Sequence, residues 1–136
     1  MSEARLDTPK SILAFAAVAE AGTGVVLLID PAIVFRLLLG ADAAAAMTAL
    51  GRCFGIALLA LGWACWPGRR SAESGSAAFR AMLTYNALIA LYLAYLGTVG
   101  RLGGVLLWPA VALHGVVALL LVWTRRGARR TQASDE

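Results

Sequence analysis

In the stretch FAAVAEAGTGVVLLID the carboxylate of Glu20 stands inside a run of Phe, Ala, Gly, Val, Leu and Ile that is broken otherwise only by Thr23 before Asp30 ends it. Three more apolar runs each carry a strongly polar group: Arg52 in GRCFGIALLALG, Asn86 behind Thr84 and Tyr85, and His114 between Leu113 and Gly115. Tyr92 follows Tyr85 by seven residues, which places both on one helix face. A carboxylate, a guanidinium, an imidazole, an amide and phenols can hold or pass a proton, or hydrogen-bond the polar head of a ligand. Their surroundings sharpen the point. A charge at a bilayer centre costs about 2.5 to 3.5 kcal/mol even on insertion scales, so such groups turn inward and find partners.

Other chemistries lack their parts. Cys53 and Cys65 lie twelve residues apart on one apolar run, about 18 Å along a helix, too far for a disulfide, and read as small buried hydrophobes. One histidine and two distant cysteines make no metal set, and haem would need His114 alone or a second chain to supply a partner. No glycine-rich phosphate loop joins a strand to a helix, and the serines lie away from His114, so neither nucleotide binding nor a nucleophilic triad is indicated. No catalytic motif is recognised.

The elements that must position the polar groups follow from composition. The 136 residues are 60% hydrophobic and 15% charged, with mean hydropathy +0.76. That balance predicts an all-α integral membrane four-helix bundle, a single domain over 1–136, with spans at 11–29, 44–66, 79–96 and 104–123 and a tail at 124–136. The net charge of +4 and pI near 9.7 are compatible with nucleic-acid binding, but the placement of the basic residues is not. Arg5, Lys10, Arg69, Arg70, Arg80, Arg125, Arg126, Arg129 and Arg130 all fall on one side of the expected spans, against Arg36, Arg52 and Arg101 toward the other. The positive-inside rule then predicts both termini cytoplasmic, in a cell (inner) membrane, with the lipid bilayer as partner. The first apolar run is too long for a signal-peptide core and is read as a retained span.

Local signals fill in the connections. Thr8 and Pro9 read as an N-cap and first helical residue. Asp30 and Pro31 repeat that signal and open a short helix at about 31–39, closed by Gly40. It is too short to span and, with Arg36 able to snorkel, is expected in the outer interface, with Asp42 capping the second span. WPGRRSAESGSAAF is a polar cytoplasmic turn, and the short GTVGRLGG makes the last two spans antiparallel neighbours. Pro109, early in the last span, is expected to free the Val105 carbonyl. Trp63, Trp66, Trp108 and Trp123 fit interfacial belts. Small residues mark packing seams: Ala16, Ala17, Thr23 and Gly24 beside Glu20, and Thr48, Gly51, Gly55, Leu59 and Gly62 beside Arg52.

Two family resemblances rest on these segments. DPAIVFRLLLG followed by GRCFGIALLALG resembles the small DoxX-like four-helix membrane proteins over the first half of the chain. That resemblance implies a four-helix fold with charged residues inside the membrane and a link to quinone or thiol redox systems. AEAGT resembles the sequence around the central carboxylate of the small multidrug resistance family, in which Glu20 would inherit proton and cation coupling. The chain departs from that family in its one-way charge bias, its extra short helix and an Arg52 able to neutralise Glu20.

Two readings of the polar layer stay open at this point. Glu20 and Arg52 can form a structural ion pair with Asn86 and His114 as glue, or Glu20, Arg52, Tyr85, Asn86, Tyr92 and His114 can line a site for an amphiphilic, quinone- or lipid-like ligand. The alternatives in function are a proton-coupled transporter working as a homo-oligomer and a non-catalytic accessory subunit of a membrane complex.

Overall fold

A computed structural model describes residues 3–67 and 76–134, with side chains over 8–67 and 76–127. The expected loop basic residues Arg69 and Arg70 lie outside the described residues, as do the side chains of Arg5, Arg129 and Arg130. All regular structure among the described residues is helical: α1 (Glu3–Ile29), α2 (Pro31–Leu39), α3 (Ala45–Ala64), α4 (Ala77–Thr98) and α5 (Leu107–Ser134). Four segments, Thr8–Ile29, Ala45–Ala64, Ala77–Thr98 and Leu107–Gly127, are long and apolar enough to cross a bilayer, which is the architecture of a multi-pass membrane protein.

Helix boundaries follow local chemistry with three corrections. Thr8 and Pro9 do not start α1, which already runs from Glu3 and carries Pro9 inside it. Asp42 does not cap α3. Its carboxylate instead meets the Arg36 guanidinium at 3.3 Å, and the N-cap position falls to Ala44, which offers no side-chain bond. Pro109 is the third residue of α5, in a first turn whose N–H groups have no intrahelical acceptor, so it frees no carbonyl within the helix. The short helix α2 forms as its punctuation predicts. The Asp30 carboxylate accepts from the backbone N–H groups of Ala32 and Ile33 at 3.1 and 3.3 Å, and Gly40 takes a left-handed φ of 69° to end the helix.

The long helices associate as two antiparallel pairs, α1 with α3 and α4 with α5, and α1 joins the pairs through smaller contacts with α5 and α4. The α1–α3 seam is a backbone approach made possible by missing side chains. A Cβ on Gly55 would stand 2.7 Å from the Gly24 carbonyl oxygen, and one on Gly62 would stand 2.7 Å from that of Ala17. Small residues are the usual means of helix association in lipid, where no hydrophobic force distinguishes a neighbour from an acyl chain. Between the pairs lies an apolar core of Leu13, Ala16, Ala17, Cys65, Phe79, Met82, Val117 and Leu121. It occupies the end of the bundle nearer the chain termini.

At the opposite end α2 ties the pairs together. The backbone N–H groups of Gly103, Gly104 and Leu106, in the α4–α5 connection, donate to the carbonyls of Leu39, Leu38 and Leu37 at 3.1, 3.1 and 2.8 Å. These are C-terminal carbonyls that the helix itself leaves unpaired. The connection thus completes the helix end, and the helix holds the connection.

Candidate functional site

Glu20 lies on the same α1 face as Leu13, Ala16, Ala17 and Leu27, the stripe turned toward the other pair, and only 3% of its surface is exposed. Asn86 lies on α4 in line with Phe79, Met82 and Leu93 and is 1% exposed. His114 enters from α5, where 15% of its side chain is accessible. The stripes along which the pairs pack therefore carry the polar groups into contact.

The geometry centres on the imidazole. His114 Nδ1 lies 2.8 Å from Asn86 Oδ1, a hydrogen bond, and 3.6 Å from Glu20 Oε1, within ion-pair reach. Asn86 Nδ2 donates to the Met82 carbonyl one turn earlier, at 2.9 Å. The Tyr85 ring meets the His114 ring edge to face, with centroids 5.9 Å apart. No fully buried side-chain nitrogen or oxygen among the described residues lacks a partner.

Four of the six residues singled out from sequence, Glu20, Tyr85, Asn86 and His114, come together here. Arg52 and Tyr92 do not join them. The buried face of α3 is Gly51, Gly55, Leu58 and Gly62, at helical spacing, and Arg52 falls one residue, about 100°, around from it. Its Nε donates instead to the Leu28 carbonyl at 3.3 Å, near the end of α1, and no Glu20–Arg52 ion pair forms. Tyr92 shares a face with Tyr85 but is 58% exposed, whereas Tyr85 is half-buried. Cys53 is likewise exposed, against the expectation of burial, while Cys65 is buried with its Sγ 3.4 Å from the Ala78 carbonyl.

Sequence reasoning did not reach the Met82 carbonyl, although its place is legible. An asparagine on a helix has the carbonyl four residues back within reach of its amide. An open apolar groove of about 890 Å³ between α1 and α3, walled by Ala21, Leu59, Gly62 and Trp63 among others, is separate from the cluster, none of whose residues line it.

Chemically, the cluster can hold a proton between Glu20 and His114. One proton on that pair makes it net neutral whether it resides on the carboxyl or on the ring, which suits a low-dielectric site. Arg52 adds no fixed positive charge to the balance, since it lies elsewhere. Replacing Arg52 with alanine should therefore cost at most about 1 kcal/mol, the net worth of an exposed hydrogen bond, and leave the His114 environment as it is. Thermal unfolding in detergent together with the ring 15N shifts of His114 would check this; displaced shifts would mean that Arg52 acts on the cluster.

No protein-family model, curated protein or solved structure matches this chain.

Proposed function

We infer that the protein binds an amphiphilic molecule, quinone- or lipid-like, whose polar head meets Glu20, Tyr85, Asn86 and His114 while its tail stays among apolar helix faces. The observation that supports this most is the convergence of these four side chains, from three helices, on the junction of two separately packed helix pairs. The structural alternative drawn from the sequence, a Glu20–Arg52 ion pair, does not form, since Arg52 is bonded elsewhere. The resemblance to DoxX-like proteins points to the same ligand class. The distribution of basic residues supports cytoplasmic termini in a cell membrane, and the exposed Arg36–Asp42 pair beside α2 suits an interfacial position for that helix on the outer side.

The test is to purify the chain from its native membrane in mild detergent and identify apolar molecules that accompany it by mass spectrometry. A stoichiometric amphiphile is expected in the unaltered protein, reduced at least tenfold in Glu20→Gln and His114→Leu. An unaltered protein that emerges folded and empty would overturn the reading.

One observation favours a second reading. With no arginine on Glu20, the carboxyl is free to exchange its proton with His114 or with a cationic substrate, as proton-coupled export requires. In that case reconstituted protein would show proton-coupled flux that vanishes in Glu20→Gln, and an unchanged flux in that variant would remove the transporter reading.

A further inference from the structure

Asn86 has only one way to face its neighbours. Its Nδ2 lies 2.9 Å from the Met82 carbonyl oxygen, and reversing the amide would bring two acceptor oxygens together. Oδ1 is therefore the atom that meets His114 Nδ1 at 2.8 Å, and an amide oxygen can only accept. The hydrogen must then sit on Nδ1. Glu20 Oε1 lies 3.6 Å from the same nitrogen, beyond the 2.7 to 2.9 Å or so that a charge-assisted bond adopts, so the neutral amide is the closer partner of the ring.

Resting on the reading of this cluster as a ligand site, we propose that Asn86 is a positioning residue that holds His114 in its Nδ1–H form and so makes Nε2 a bare acceptor directed to the ligand. In histidine sites the hydrogen bond made by one ring nitrogen decides what the other can do. No described residue partners Nε2, and the ring retains accessible surface through which a head group can approach. The site consequently selects heads that donate a hydrogen, an O–H above all, over heads of the same shape that only accept. Asn86 itself need not touch the ligand.

The chain has a single histidine, which makes the test direct. The full chain, labelled with 15N in its imidazole and placed in lipid nanodiscs, should show a protonated Nδ1 and a bare Nε2. An Nε2–H ring, or an imidazolium with both nitrogens protonated, would overturn the proposal without any variant being made. Asn86→Leu should convert the ring to a mixture of tautomers, whereas Glu20→Leu should leave it as Nδ1–H; the reverse pattern would transfer the role to Glu20 and sink the assignment. Selectivity is read from the Nε2 shift with 1-decanol and decyl methyl ether, which share a tail and differ in the donor. The alcohol should bind about five- to tenfold more tightly than the ether, the ratio that one net hydrogen bond gives, and the preference should collapse toward unity in Asn86→Leu. Equal binding of alcohol and ether would overturn the donor selection. If the ring has the assigned form but neither probe moves it, the positioning by Asn86 stands and the amphiphile-binding reading falls.

Discussion

Gly104→Val should destabilise the protein by about 3 kcal/mol and weaken the amphiphile site, although Gly104 touches none of the site residues. A Cβ at this position would collide with the Leu37 carbonyl oxygen, a rigid backbone atom at the end of α2 that cannot rotate away. The connection must lift off, and with it go the bonds from Gly103, Gly104 and Leu106 to the carbonyls of Leu39, Leu38 and Leu37. Each is worth about 0.5 to 1.5 kcal/mol net, and unpaired backbone groups near lipid cost more than in water. The contact also spans the two helix pairs, since α2 follows α1 directly and the connection joins α4 to α5. Losing it leaves Glu20 and His114 held together only by the packing of α1 on α5 and α4, so the distance of 3.6 Å between them should become variable. Unfolding in mixed detergent micelles measures the first effect, and loss of the copurifying amphiphile measures the second. A variant within about 0.5 kcal/mol of the parent would show that α2 and the connection are not a lock.

Gly55→Leu should cost a comparable amount, about 2 to 4 kcal/mol, and affect the site far less. The side chain would enter a seam where even a Cβ stands 2.7 Å from the Gly24 carbonyl oxygen and 3.0 Å from the Leu27 Cβ, so α1 and α3 must separate by the thickness of a side chain. The cluster is made by side chains of α1, α4 and α5, and α3 supplies none of its members. The expected result is a protein less resistant to detergent unfolding whose His114 ring shifts match the parent. Cross-linking between cysteines placed at residues 21 and 59 would report the separation of α1 from α3. A disturbed His114 with an intact α1–α3 seam would show the two helix pairs to be coupled through α3, contrary to the packing described here. Compared with Gly104→Val, this variant separates loss of stability from loss of the site.

How much of this was readable beforehand can be judged residue by residue. The long apolar runs predicted four helices because each must satisfy its own backbone once water is excluded, and the helices are found there. Asp30, Pro31 and Gly40 marked α2 because caps act over three or four residues, and local chemistry is written locally. Glu20, Asn86 and His114 stood out because a polar group amid hydrocarbon is costly, and Gly24, Gly55 and Gly62 as seams because small residues admit a second helix. Asp42, which the sequence offered as a cap, was the exception: it pairs with Arg36, six residues before it.

Which of these groups meet was decided by the tertiary structure. The α3 stripe read from sequence held Gly51, Gly55 and Gly62, which are buried, but joined Arg52 to them; a shift of one residue is about 100° on a helix, enough to exchange the interior for the exposed surface. Tyr85 and Tyr92 share a helix face, yet Tyr85 is half-buried beside His114 while Tyr92 is exposed. The orientation of the Asn86 amide depends on a Met82 carbonyl made available by the fold of α4 and on the rotation of α5 that presents His114. By itself the sequence determined the helices, both ends of α2 and the cost of each polar residue, because those follow from interactions within one turn or with the solvent. The tertiary structure alone chose Asn86 over Arg52 as the partner of the buried layer, because rotation about a helix axis and the pairing of helices are set by packing across the whole bundle.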